Sequence, residues 1–165
     1  HCGKKLLFMG QDFGQEREWS EERELDWFLL QEKNNLGMHN YVRDLLELYR
    51  KYPCMYENDN SWKGFEWMNA DDADRSTYSF VRKSESGRNN LLFVMNMTPM
   101  RWENYVVPVP KKKKYKLVLN SDDTCYGGNG NEVPEELTAV EEPCHYHDYT
   151  ISFDLPPYTA VVFQF

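Results

Sequence analysis

Between positions 11 and 19 the chain carries Gln11, Asp12, Phe13, Gln15, Glu18 and Trp19. Amides and carboxylates hydrogen-bond hydroxyl groups, and aromatic faces stack on flat or apolar ligand surfaces. The set has the chemistry of a binding wall for a hydroxyl-rich ligand. A capped turn with a solvated acidic patch uses the same residues, and spacing alone favours neither reading. Directly before them, Leu6-Leu7-Phe8-Met9 is an unbroken apolar run that stops at Gly10. Such a run predicts a strand buried on both faces, as in a parallel sheet. Polar groups just past the carboxyl end of such a strand lie where α/β enzymes hold substrate.

Other candidate chemistry is sparse. Asp26 beside Trp27 could contact a carbohydrate, although Trp27 as a core residue is the simpler expectation. In Cys144-His145-Tyr146-His147 the two histidines would point the same way on a strand. A structural zinc draws its ligands from two separated clusters, and no second cluster exists, so neither a metal nor any other cofactor is expected. Asp71, Asp72 and Asp74 lack the spacing of a calcium loop and read as a turn. Asn96-Met97-Thr98 matches the glycosylation pattern, but it is followed by Pro99 and sits on an apolar strand. No Ser/His/Asp order, phosphate loop or isolated carboxylate pair appears, so no catalytic residue is assigned to this chain.

Composition narrows the partners. The chain has 165 residues, with 27 acidic against 19 basic side chains and a net charge of −8. Nucleic acids and anionic membranes both require a basic face, so neither is an expected partner. Aromatic residues make up 15% of the chain, and with bases disfavoured, sugars are the better stacking ligand. Cys2, Cys54, Cys125 and Cys144 contain no C-x-x-C pair and read as free thiols in a reducing cytoplasm. His1 stands where a Met would begin a chain, and no targeting segment precedes the first apolar run. That start reads as partway through an enzyme. No apolar segment approaches the ~18 residues of a membrane helix.

Two regimes of periodicity divide the chain. Residues 21–30 read as a short helix or turn. Asn34 and Asn35 are predicted N-caps of a helix whose apolar residues, Met38 to Tyr52, recur at spacings of three and four. Arg50 and Lys51 suit its last turn, and Pro53 ends it. From Gly64 onward short β-rich runs take over at 65–69, 77–83, 91–98, 105–109, 115–119, 149–155 and 160–165. Residues 84–90 form a hairpin, Pro108 and Pro110 break a run, Lys111–Lys114 form a solvated hairpin tip, residues 127–131 form a loop, and Pro156-Pro157 make a corner. Short strands at this spacing imply an antiparallel sandwich. The expected fold is mainly β with a helical N-terminal part, divided into a β/α segment at 1–56 and an all-β sandwich at 57–165.

Gly3-Lys4-Lys5-Leu6-Leu7-Phe8-Met9-Gly10-Gln11-Asp12-Phe13-Gly14-Gln15, followed by Glu18-Trp19 and Glu24-Leu25-Asp26-Trp27, resembles the last barrel strand and following loop of bacterial glycogen branching enzymes, in the α-amylase superfamily. Collinear matches continue at Val42-Arg43-Asp44-Leu45, Gly64-Phe65-Glu66-Trp67, Asn96-Met97-Thr98-Pro99, Leu119-Asn120-Ser121-Asp122, Tyr126-Gly127-Gly128 and Leu155-Pro156-Pro157. Asp12 stands where many relatives carry Glu, and the lysine run replaces a turn containing Pro-Gly. The resemblance implies that this chain holds the eighth strand and final helix of a (β/α)8 barrel and then the entire carboxyl-terminal β domain. It also implies a parent enzyme of glycogen biosynthesis in the bacterial cytoplasm, which cleaves α-1,4-glucan by a retaining mechanism and makes α-1,6 branches. The family's nucleophile, acid/base and stabilising carboxylates lie on earlier barrel strands, so the isolated piece is expected to be inactive. Implied partners are α-glucan, met by the residues at 11–19, and the rest of the parent barrel. Alternatives are a stand-alone carbohydrate-binding module with Trp62, Trp67 and Trp102 in an exposed row, a purely structural domain, or the tail of another amylase-family enzyme such as a trehalohydrolase. Without its barrel neighbours, Leu6–Met9 should dock on the chain's own helix, pair with a second copy, or be poorly ordered.

Overall fold

The structure, a computed structural model, describes residues 4–165. Cys2 lies outside the described residues, and Cys54, Cys125 and Cys144 form no disulfide. The α-helix α1 (Lys33–Lys51) buries Val42 and Leu48 and lays Tyr41, Leu45 and Tyr49 against the β part. Arg50 and Lys51 occupy its last turn, and Pro53 opens a separate 3-10 turn, so the helix ends as its sequence implies. The N-terminus differs from expectation. Glu32 holds the cap position without a side-chain bond, and Asn34 and Asn35 are already helical. Asn35 is drawn away by a tertiary partner: its amide donates to the carbonyls of Phe13 at 2.9 Å and Gly14 at 3.2 Å.

Eight strands follow: β1 (Phe65–Asp72), β2 (Thr77–Arg82), β3 (Leu91–Asn96), β4 (Trp102–Val109), β5 (Lys114–Asn120), β6 (Glu136–Thr138), β7 (Tyr149–Leu155) and β8 (Ala160–Gln164). Six form one sheet in the order β1-β2-β3-β8-β5-β6, and β4 and β7 form a second. Every named pairing is antiparallel. β6 escapes sequence reading because three residues cannot show a period. Pro108 does not break β4. It pairs with Thr150 inside the strand, which tolerates the missing N–H because β4 has a neighbour on only one side. Lys111–Lys114 is not a hairpin tip either: the segment crosses from β4 in the small sheet to β5 in the large one. Lys112 and Lys114 pair with Glu141 and Glu136 at 2.9 and 2.6 Å.

The large sheet is covered on both faces. On one, Val81, Leu92, Val94, Val161 and Phe163 pack with Val107, Val109, Ile151, Phe153 and Leu155 of the small sheet. On the other, Leu91, Leu119 and Val162 pack with Leu48, Tyr52, Cys54 and Met55 from α1 and the turn after it. Double coverage explains why Val161, Val162 and Phe163 of β8 are all apolar without alternation.

The run Leu6–Met9, predicted as a strand, is not one here. It has no strand neighbour among the described residues, and Leu6 is 81% exposed. A parallel strand needs backbone partners beside it, and every ladder in this chain lies between residues 65 and 164. Leu6 and Leu7 instead line an apolar groove with Val42, Leu45, Leu46 and Tyr49 of α1, a partial form of docking on the chain's own helix.

A loop from Asn120 to Asn131 clamps α1 to the sandwich. Asp122 is buried, and its carboxylate accepts from the backbone N–H and side-chain amide of both Asn129 and Asn131, at 2.7–3.4 Å. Burial alone would raise the carboxyl, but these donors more than offset it and hold it below the usual carboxylate range. A lowered folded value gives stability that is complete above the unfolded value of about 4 and is lost as pH falls through the folded one. Urea unfolding of the chain between pH 7 and pH 3 should therefore show a smaller loss in Asp122→Asn than in the wild type. Equal slopes would refute this.

The same loop brings Tyr126 onto α1, where its hydroxyl donates to Asp44 at 2.8 Å and its ring meets Tyr41 edge-on at 5.3 Å. Gly37 permits that approach: a Cβ there would sit 2.7 Å from the Tyr126 carbonyl carbon and closer still to its oxygen. Alanine would gain about 1 kcal/mol of helix propensity, but packing it against backbone costs about 1–3 kcal/mol. Gly37→Ala should therefore lower the urea midpoint, against what propensity alone predicts.

Candidate substrate-facing loop

Gly10 and Gly14 bracket a 3-10 turn (Gln11–Phe13), both with positive φ, at 80° and 66°. At Gly10 the positive φ turns the chain sharply, so the Gln15 N–H returns to the Gly10 carbonyl at 3.0 Å. Inside this turn Phe13 is 0% exposed and packs on Trp27 with ring centroids 5.2 Å apart. Gln15 is also occupied: its amide nitrogen donates to the Arg17 carbonyl at 2.9 Å, and its oxygen accepts from the Asp26 N–H at 2.8 Å. Asp26 is buried and takes the Arg17 guanidinium in a fork, through Nε at 2.7 Å and through Nη2. That hydrogen-bonded guanidinium holds the Asp26 carboxyl below the usual carboxylate range.

The remaining candidates face outward. Gln11 accepts from the Phe8 N–H at 2.9 Å through its side-chain oxygen, leaving its NH2 group toward solvent. Asp12 is half-buried, with Oδ2 3.4 Å from Nδ1 of His39 on α1, close enough for charge attraction but without a hydrogen bond. Glu18 is exposed, and its carbonyl accepts from Arg23 at 2.6 Å. Trp19 is exposed and meets Phe8 edge-on at 5.3 Å. The loop therefore presents one amide, two carboxylates and one indole, while Phe13 and Gln15 shape it from within. Arg17, Asn35 and His39 hold it in place, and sequence reading missed all three. Asn35 and His39 are four apart on one helix, a spacing that puts both on the face toward the loop.

Two other groups of candidates disperse. Cys144 and His147 exchange both backbone hydrogen bonds at 2.9 Å around a tight turn, with φ of 45° at His145 and 66° at Tyr146. The segment is a turn, so the two histidines do not share a strand face. Among the described residues no three His, Cys, Asp or Glu side chains gather as a metal site. Trp62 and Trp67 lie beside the large sheet, 71% and 48% exposed, whereas Trp102 is half-buried on the small one, so the three make no row. Asn96 is buried and donates to the carbonyls of Met100 and Pro156 at 2.7 and 2.8 Å, away from any modifying enzyme.

Two unequal antiparallel sheets with a helix on the outer face define an all-β accessory domain joined to a helical segment. Residues 67–165 match the family described as "Alpha amylase, C-terminal all-beta domain", and the chain belongs to that family. Over all of its length it is 61% identical to the 1,4-alpha-glucan branching enzyme GlgB of Butyrivibrio fibrisolvens, covering 26% of that protein. The enzymes of the same name from Aromatoleum aromaticum and Geobacillus stearothermophilus are 42% and 40% identical over 99% and 96% of this chain, and it covers 25% of each. The chain spans about a quarter of the length of the curated relatives it matches. The solved isomaltulose synthase from Erwinia rhapontici NX5 overlays with a TM-score of 0.48 at 15% identity, over 77% of this chain and 17% of that one.

Proposed function

We propose that this chain is the carboxyl-terminal part of a 1,4-α-glucan branching enzyme, supporting a catalytic barrel and lining its glucan cleft. The observation that carries this reading is that the 61% identity extends through residues 1–66, beyond the β domain matched by the family. On this reading the boundary falls at 56/57. Residues 1–56 are the last strand and helix of a (β/α)8 barrel, and 57–165 are the accessory sandwich. Leu6–Met9 pairs only when the rest of the barrel supplies its neighbours. Leu6, Leu7, Phe28, Leu36, Met38 and Leu46 are exposed apolar side chains suited to that contact.

Gln11, Asp12, Glu18 and Trp19 face glucan hydroxyls and ring faces, with Phe13 and Gln15 holding the loop's shape. The reaction is transglycosylation with retention. A carboxylate attacks the α-1,4 linkage, a second carboxyl protonates the leaving sugar, and a glucan 6-hydroxyl then displaces the enzyme to form an α-1,6 branch. Both groups belong to the remainder of the parent protein, in a bacterial cytoplasm engaged in glycogen synthesis. No described helix is long and apolar enough to cross a membrane.

A chimera tests the proposal. The carboxyl-terminal quarter of the Butyrivibrio fibrisolvens relative is replaced by this chain, and amylose branching is followed by loss of iodine colour and new α-1,6 linkages. The chimera should branch amylose, and this chain alone should not. A folded but inactive chimera, or activity from the chain alone, would overturn the reading.

A further inference from the structure

We infer that the segment 56–62, on the sandwich side of α1 and separate from the loop at 11–19, is a second binding site for a neutral, hydroxyl-rich chain. Under the reading above that ligand is an α-1,4-glucan. Lys4 and residues 56–61 line a cleft of about 240 Å³, walled by Tyr56, Asn58 and Asn60. The cleft ends at Ser61, and the next residue is Trp62, whose indole is 71% exposed beside Phe65 at 6.2 Å. The segment is held in shape. Ser61 accepts from the Lys63 N–H, and Gly64 admits Asn58 so closely that a Cβ there would sit 2.7 Å from the Asn58 carbonyl oxygen. A polar cleft beside an exposed indole offers what a sugar chain needs, hydrogen-bonding groups next to a flat apolar face.

Asp59 supplies an independent pointer to a ligand. Its side chain is 2% exposed and lines the cleft. Oδ1 is satisfied by Arg82 at 2.9 Å and by Lys5, but the buried Oδ2 accepts no hydrogen bond. Lys4 Nζ stands 3.5 Å from Oδ2, at ion-pair distance. A buried acceptor without a donor is costly and rare in native proteins. A metal ion is a poor occupant, because Lys4, Lys5 and Arg82 already surround this carboxylate and would repel it. An anion is equally poor, because Glu57 and Asp59 line the same cleft. A hydroxyl fits both neighbours: it donates to Oδ2 and accepts from Lys4. The side-chain amides of Asn58 and Asn60 make no hydrogen bond among the described residues and remain available to further hydroxyls.

The test is calorimetric titration of this chain with maltoheptaose, with the indole N–H signals followed by NMR. Millimolar binding should shift the Trp62 indole signal. Trp62→Ala should weaken binding about fivefold or more, and Asn60→Ala about twofold, with thermal midpoints unchanged. Trp19→Ala should leave the Trp62 response intact. The inference fails if Trp62→Ala binds as tightly as wild type, if Trp19→Ala alone abolishes binding, or if the folded wild type binds no maltoheptaose at millimolar concentration. None of these results decides whether the chimera described above branches amylose, so the two readings fail separately.

Discussion

Replacing Asp59 with alanine should destabilise this chain by about 3–5 kcal/mol, the cost of leaving a buried charge without its counterion. Arg82 and Asp59 are 3% and 2% exposed, with Nη2 and Oδ1 2.9 Å apart. The same guanidinium donates to the carbonyls of Cys54 at 3.1 Å and Met55 at 3.2 Å, so it ties β2 to the turn that follows α1. Lys5 joins them, donating to Asp59 and to the Met55 carbonyl at 2.9 Å. Burial alone would raise the Asp59 carboxyl, but Lys5 and Arg82 more than offset it and keep it below its ordinary range. Without the carboxylate, the Arg82 charge stays in a place water cannot reach. An exposed pair makes the contrast. Lys112 and Glu141 are also 2.9 Å apart but more than half exposed, and Glu141→Ala should cost at most about 1 kcal/mol. Urea unfolding checks both, and a loss in Asp59→Ala as small as in Glu141→Ala would show that the buried pair carries no structural weight.

Phe13→Ala should open the substrate-facing loop without unfolding the sandwich. Truncating a fully buried Phe costs about 3–5 kcal/mol where the cavity cannot collapse. Phe13 belongs to neither core cluster, and its recorded ring partner is Trp27, so the loss should stay local to residues 10–31. A local cost of about 3 kcal/mol lowers amide exchange protection by roughly a hundredfold. The Gln15 N–H, bonded to the Gly10 carbonyl, is the reporter, and amides of β8 should keep their wild-type rates. Phe13→Leu should recover most of the protection. In the branching chimera, Phe13→Ala should also reduce activity, because Asp12, Glu18 and Trp19 lose their common support. Unchanged exchange at Gln15 would mean that this ring does not hold the loop.

Much of this architecture is legible from local pattern. The three-and-four spacing from Met38 to Tyr52 marks α1, and Pro53 ends it, because a helix periodically buries one face and cannot continue through proline. Seven of the eight strands announce themselves as short β-rich runs separated by turn residues. The collinear motifs identify the family because they span both the helical part and the sandwich. Motif recognition needs residue identity and order, not contacts.

What the sequence could not settle is set by neighbours distant in the chain. Leu6–Met9 has a strand's composition, but a strand exists only beside another, and no described segment lies alongside it. Asn35 has a cap's composition but bonds Phe13 and Gly14. Among the six candidate ligand-binding residues, composition treats all alike. Tertiary packing turns Phe13 and Gln15 inward and leaves Gln11, Asp12, Glu18 and Trp19 facing out. Residue type determines what a side chain can do, and local period determines the element that carries it. Whether it meets water, a ligand or the core depends on long-range burial, which no short window of sequence contains.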